Sequence, residues 1–405
     1  MVKLLTSRMV LSRWALIGLF VLLCGPWFLP SNKLYHQLII VLLWLPALLA
    51  LLLERDFRRQ IFQAEMMLFI ILSGWMLLIL LLKGASDPAS KAKLPIYVFL
   101  SLVGIVLAAR DVRWSLEAQL RVSILVGGFL AWVSVQYFSL TGPHAPFQRL
   151  IAIGLWDTAI MAAHAVGALA VLGFLLFRDV STRRIVYLLA VAVAAVGYVL
   201  FIGLNQSRGV WLAVMVTSLA LLLSRPSRTS LTVLLVGVGM VSFVCWQAPE
   251  ILMQRGLSYR PELIAGGLEL LKQNWLLGLG FNPYEIVVHS ASNTYKHPHN
   301  LYLDLSIRLG LPGLFLFLLL WGGVFWRGWR NRQEVMGRAL LALWCFSSVA
   351  LLTDGIGLWF KPNADWLITW LPIAISLVLA VRQQESRSIT GISSVSLCHV
   401  RESKA

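Results

Sequence analysis

Charge is scarce in this chain. Asp, Glu, Lys and Arg make up 13% of its 405 residues, where a soluble domain carries roughly a quarter. The shortfall excludes a large water-facing domain and leaves most of the chain against lipid or inside a helix bundle. Acidic residues are scarcer still: 18 stand against 34 basic ones, for a formal charge of +16. That surplus does not imply a nucleic-acid partner, because Lys and Arg fall in short clusters between apolar runs. They form no stripe with interleaved aromatics. The four cysteines (Cys24, Cys245, Cys345 and Cys398) show no paired spacing, so neither a disulfide framework nor a zinc pattern is present. A Walker loop, a Gly-rich dinucleotide fingerprint and a Gly-x-Ser-x-Gly elbow are all missing. Neither ATP nor any other cofactor is expected.

Long apolar runs supply what is there. Hydrophobic residues reach 59%, seventeen Trp suit a headgroup boundary, and the mean hydropathy is +0.80. A span needs about 20 apolar residues. Suitable runs lie near 14–30, 34–53, 64–82, 94–109, 120–140, 151–177, 185–203, 209–223, 231–247, 300–326, 338–353 and 365–381. They are continuous, where a barrel strand would alternate, so an all-α polytopic membrane protein with about 12 transmembrane helices is expected. The first run follows Lys3, Arg8 and Arg13 but no small-residue cleavage site, and reads as a retained span. With the N-terminus inside, 22 Lys and Arg fall in inner segments and 11 in outer ones. The positive-inside rule therefore places both termini in the cytoplasm. The expected organisation is nine spans over 1–247, an outer loop over 248–299, three spans over 300–384 and a Ser-rich polar tail over 385–405.

The outer loop holds three of the seven His. Within it, 261–277 reads as a helix with Pro261 in its first turn, and Leu263, Leu268, Leu271 and Trp275 as an apolar side laid on the membrane. Where the loop re-enters the membrane stands His297-Pro298-His299-Asn300. Asn300 suits a helix N-cap, and Leu301-Tyr302-Leu303 begins the apolar run. A neutral imidazole there can accept a proton from a sugar hydroxyl, which makes His299 the candidate base. Arg208 sits in the tight outer turn Asn205-Gln206-Ser207-Arg208-Gly209, while Arg255 and Arg260 lie in the long loop. Guanidinium forks match phosphate oxygens and cannot lose their charge, so these three are candidates to hold a phosphate-bearing ligand. Asp354, in Thr353-Asp354-Gly355, is open to two readings: orienting a His or an acceptor hydroxyl, or capping a helix or pairing with Lys361. Asn300, Tyr302 and Asp304 share that ambiguity. A metal is not expected, since Pro298 splits the His pair and no carboxylate sits at ligand spacing.

His299-Asn300 followed by Gly310 and Gly313 resembles the His-Asn…Gly-x-x-Gly signature of O-antigen ligases and related O-antigen polymerase-type proteins. Ser207-Arg208-Gly209-Val210-Trp211 and Leu277-Gly278-Leu279-Gly280-Phe281 are also similar to that family, as is the order of parts over nearly the whole length. The surroundings of Arg260 match only loosely. The resemblance implies an inner-membrane, GT-C-like glycosyltransferase with its site facing the periplasm. It implies transfer of glycan from undecaprenyl diphosphate to a lipid A-core oligosaccharide, with inversion and without nucleotide sugar or metal. In that reading His299 is the base, and Arg208, Arg260 and Arg255 hold the diphosphate within reach of membrane lipid. An O-antigen polymerase and a protein O-oligosaccharyltransferase share the donor and differ in acceptor. A lipid-glycan flippase is the rival from another class, but two related halves are not evident.

Overall fold

The computed structural model describes residues 2–141, 148–156, 158–178, 184–224, 228–247, 259–291, 293–355 and 357–402. Long helices dominate: α1 (Val2–Phe28), α2 (Asn32–Leu53), α3 (Ala64–Lys83), α4 (Pro88–Ala108), α5 (Leu116–Leu140), α6 (Ala159–Arg178), α7 (Ile185–Asn205), α8 (Arg208–Ser224), α9 (Arg228–Gln247), α10 (Arg260–Gln273), α11 (Leu301–Arg330), α12 (Val335–Thr353) and α13 (Trp370–Glu402). Among the described residues ten helices are long and apolar enough to span a membrane, and α8 is a shorter apolar helix. Each of the twelve runs read from the sequence overlaps a helix, wholly or in part, the remaining one being α9. Satisfying backbone groups within a segment is what makes the helix obligatory in lipid.

The spanning segment that leads into α13 is buried throughout its apolar window, whereas α7 is 22% buried. One helix thus forms the axis, and the other turns Ile185, Val186 and Leu189 outward, as a lipid-facing helix should. At the end of the bundle far from the long loop, Arg327 binds Glu65 through Nε at 2.8 Å, and Arg382 binds Glu117 at 2.8 Å. The tail expected after residue 384 continues α13 as helix to Glu402.

Two segments depart from the sequence reading. The sixth run was expected from residue 151, but 148–156 is non-helical and α6 begins at Ala159. Gly154 has φ +107, and a Cβ there would lie 2.1 Å from the Pro26 carbonyl oxygen. The chain presses against α1, where Leu155 N–H donates to that oxygen at 2.7 Å. Apolar composition put this stretch in a span, and its own backbone conformation takes it out of the helix. The second departure is a short antiparallel hairpin, β1 (Ile286–Val288) and β2 (Asn293–Tyr295), in the long loop. Leu263 of α10 packs with Tyr284, Ile286, Val288, Leu303 and Ile307 in a small core of its own. Leu268 and Trp275 are exposed and Leu271 borders that core, so only part of the expected apolar side packs against protein.

Three glycines lock this subdomain onto α11. Gly310 breaks the helix at φ 70, and Pro312 beyond it has no N–H to give back. The carbonyls so freed are satisfied elsewhere. Leu279 N–H donates to Ile307 O at 2.7 Å, Gly280 N–H to Arg308 O at 2.9 Å, and Trp75 Nε1 to Leu309 O at 2.8 Å. Gly278 and Gly280 adopt φ 69 and 73 to make that approach. A Cβ on Gly278 would meet the Arg308 backbone at 2.4 Å. The Gly-rich loop and the Gly310 position read from the sequence are therefore two sides of one backbone junction.

Candidate active site

His299 is positioned from both sides. Pro298 before it is buried, and Asn300 after it caps α11, its side-chain oxygen accepting from Leu303 N–H at 3.0 Å. The Asn300 amide also donates to Leu352 O at 3.1 Å, tying the start of α11 to the end of α12. His299 itself has φ 50, a left-handed conformation that costs a non-glycine residue on the order of 1–3 kcal/mol and persists where the surroundings impose it. The Nδ1–H of His299 donates to Asp354 Oδ1 at 2.9 Å, and the same oxygen accepts from Gly355 N–H at 2.8 Å. Asp354, the C-cap residue of α12, thus pairs with His299 rather than Lys361.

Burial would raise the Asp354 carboxyl. The His299 hydrogen bond, the His164 and His299 rings and the Gly355 N–H together outweigh it and hold the group down at about 2. It is a carboxylate at any working pH. With Nδ1 committed to Asp354, Nε2 is the ring nitrogen of His299 left for chemistry. The His297 ring lies edge-on at 4.1 Å between centroids. Burial and the neighbouring His299 lower its pKa, so it stays neutral, and its buried Nδ1 has no partner among the described residues. His297, His299 and Asp354 also hold potential ligand atoms within 4.8 Å of one another, a grouping hidden in the sequence because Asp354 lies far along the chain.

A cavity of about 410 Å³ gathers the rest. Its lining includes His299, Asp354, Arg208, Arg260, Arg149 and His164. Arg208 begins α8 after Gln206, whose left-handed φ of 56 caps α7. Gly209 lets α8 approach α12: a Cβ there would lie 2.2 Å from Thr353 Oγ1. Arg260 opens α10, and the Tyr259 and Tyr295 rings continue the wall toward His299. The structure therefore brings His299, Arg208, Arg260 and Asp354 to one cavity. Asn300 and Tyr302 are not among the residues lining it. Tyr302 packs on Phe317 and approaches Ser348 O at 3.4 Å. Arg255 lies outside the described residues.

Sequence reasoning missed a second His–carboxylate pair in the same wall. His164 of α6 is 2% exposed, and its Nδ1 lies 2.8 Å from Asp365 Oδ1. The two are 201 positions apart, and neither belongs to a local motif, so no signal in the sequence could have joined them. Arg149 was visible as an outer charge. It donates to Asn205 O at 2.9 Å and to Ser207 Oγ, which holds the Arg208 turn in place.

An imidazole paired with a carboxylate and several guanidinium groups line one cavity at one end of a multi-pass helix bundle. In comparison with known proteins, residues 193–318 match the family model for O-antigen ligase. The chain is also 26% identical over 391 residues to the O-antigen ligase of Pseudomonas aeruginosa, covering 95% of each protein. Both matches bear out the resemblance read from the sequence and support an enzyme of the glycosyltransferase kind.

Proposed function

We propose that this protein ligates O-antigen in lipopolysaccharide synthesis. It moves glycan from undecaprenyl diphosphate to a sugar hydroxyl of a lipid A-core oligosaccharide, at the cavity containing His299. The observation that carries this reading is the shared cavity of the His299–Asp354 pair with Arg208 and Arg260.

A diphosphate is already a good leaving group, so the protein need supply only a base and positive charge. His299 Nε2 takes the proton of the acceptor hydroxyl as its oxygen attacks the anomeric carbon, a contribution of roughly 10²–10⁴-fold. Asp354 faces the imidazolium that forms. The bond from the anomeric carbon to the phosphate oxygen breaks, and its electron pair leaves on the diphosphate, where Arg208 and Arg260 meet the growing charge. Attack from the side opposite the leaving group inverts the anomeric centre. No metal is assigned a role in this reading. The site faces the periplasm in this reading, the side on which fewer basic residues fall.

The test is reconstitution of the full chain in nanodiscs with lipid-diphosphate glycan and a choice of acceptors. Transfer to lipid A-core, with an inverted linkage in the product, supports the proposal. Transfer only to a second glycan lipid would make the enzyme a polymerase instead, and transfer only to a protein an oligosaccharyltransferase.

A further inference from the structure

A second pocket opens at the same end of the bundle. It measures about 310 Å³ and is lined by Lys91, Lys361, His36, Asn32 and Trp359 among others, with no carboxylate among the described lining residues. Lys91 stands 5.9 Å over the Phe360 ring. The Asp87 carboxylate near it is occupied in capping the first turn of α4, where it accepts from Ser90 N–H at 3.1 Å. Arg308, within electrostatic reach of Lys91, is held by Asp304 at 3.1 Å to both carboxylate oxygens. Two lysines thus line one concavity, and Asp87 is the acid within electrostatic reach of Lys91.

Ser90 and Asn363 also line it. A ligand rich in acceptor oxygens would meet the lysines, and a phosphate ester has that chemistry. One segment joins the two pockets: Asp354 at its start supports His299, and Lys361 further along lines the second pocket.

We propose that this pocket binds a phosphate ester carried by the glycolipid acceptor, and so seats the acceptor with its sugar hydroxyl at His299. The proposal rests on the ligase reading and adds a specificity-determining subsite to it. Lys91 and Lys361 set acceptor affinity and take no part in the bond changes.

The experiment compares wild type with the double variant Lys91→Gln/Lys361→Gln, full length, in phosphatidylcholine nanodiscs. Acceptors are phosphorylated lipid A-core and the same lipid after phosphatase treatment. The expected result is a rise of roughly tenfold in acceptor KM with the phosphorylated acceptor, with kcat and donor KM unchanged. Wild type and variant should coincide on the dephosphorylated acceptor. Equal KM on the phosphorylated acceptor, or the same rise on both acceptors, would overturn the proposal. So would a defect that tracks added phosphatidylglycerol instead of acceptor phosphate, which would assign the pocket to a membrane headgroup. Native mass spectrometry of acceptor retention without donor reads the pocket separately. Preferential retention of the phosphorylated form by wild type supports the subsite even if no transfer occurs, in which case the ligase reading alone fails.

Discussion

Replacing Asp354 by Asn removes one charge and almost nothing else. Oδ1 of the present carboxylate accepts from both His299 Nδ1 and Gly355 N–H, at 2.9 and 2.8 Å. An amide oxygen can accept both bonds in the same place, so the ring keeps its orientation. What is lost is the stabilisation of the imidazolium that forms as the acceptor proton arrives. A hydrogen bond to a charged group contributes roughly 1.5–3 kcal/mol, which converts to a loss of about 10- to 150-fold in kcat. Donor binding should be little affected, because Arg208 and Arg260, the arginines proposed to hold the diphosphate, are untouched. Single-turnover transfer in nanodiscs, with donor saturating, isolates the chemical step. Asp354→Asn within twofold of wild type would refute the reasoning that a charged partner drives the base.

Gly209→Ala should lower the melting temperature, since the added methyl meets Thr353 Oγ1 at 2.2 Å; overpacking of this kind costs about 1–3 kcal/mol, and unchanged thermal unfolding in detergent would contradict the close approach of α8 and α12. Arg208→Ala should raise donor KM by at least tenfold with little change in acceptor KM, measured by donor titration; an effect confined to acceptor KM would move Arg208 out of the donor site. His297, neutral in the fold through burial and its neighbour His299, binds fewer protons than in the unfolded chain, where its pKa is about 6.5. Stability should therefore fall as pH drops below that value, and His297→Gln should lose less stability than wild type between pH 8 and 5. Identical pH dependence of the two melting curves would count against the buried, neutral assignment. Asp365→Asn should reduce kcat through His164; no change in rate would reduce the second pair to a packing role.

Much of this architecture is legible from composition because lipid imposes so strict a rule on backbone hydrogen bonds. Continuous runs such as 185–203 and 338–353 need no tertiary information to be read as helices. His299 and Arg208 were also visible, each in a compact local pattern that places it at a helix start. What escaped depends on distant parts of the chain. His164 meets Asp365 across 201 positions. Residues 151–156 are apolar enough for a span, yet Gly154 and the contact with Pro26 hold them outside one. The hairpin at 286–295 is too short to show a period of its own, and it exists because Ile286 and Val288 pack under Leu263. Asp354 could be read two ways until its hydrogen bond to His299 was located.

The central claim is that the His299 imidazole removes the acceptor proton at a cavity whose guanidinium groups hold the donor. His299→Ala, reconstituted and shown by binding to retain lipid-diphosphate glycan, tests it most directly in a single turnover. The account predicts that donor stays bound and transfer falls by about 10²-fold or more. Near-normal transfer by the alanine variant would contradict it.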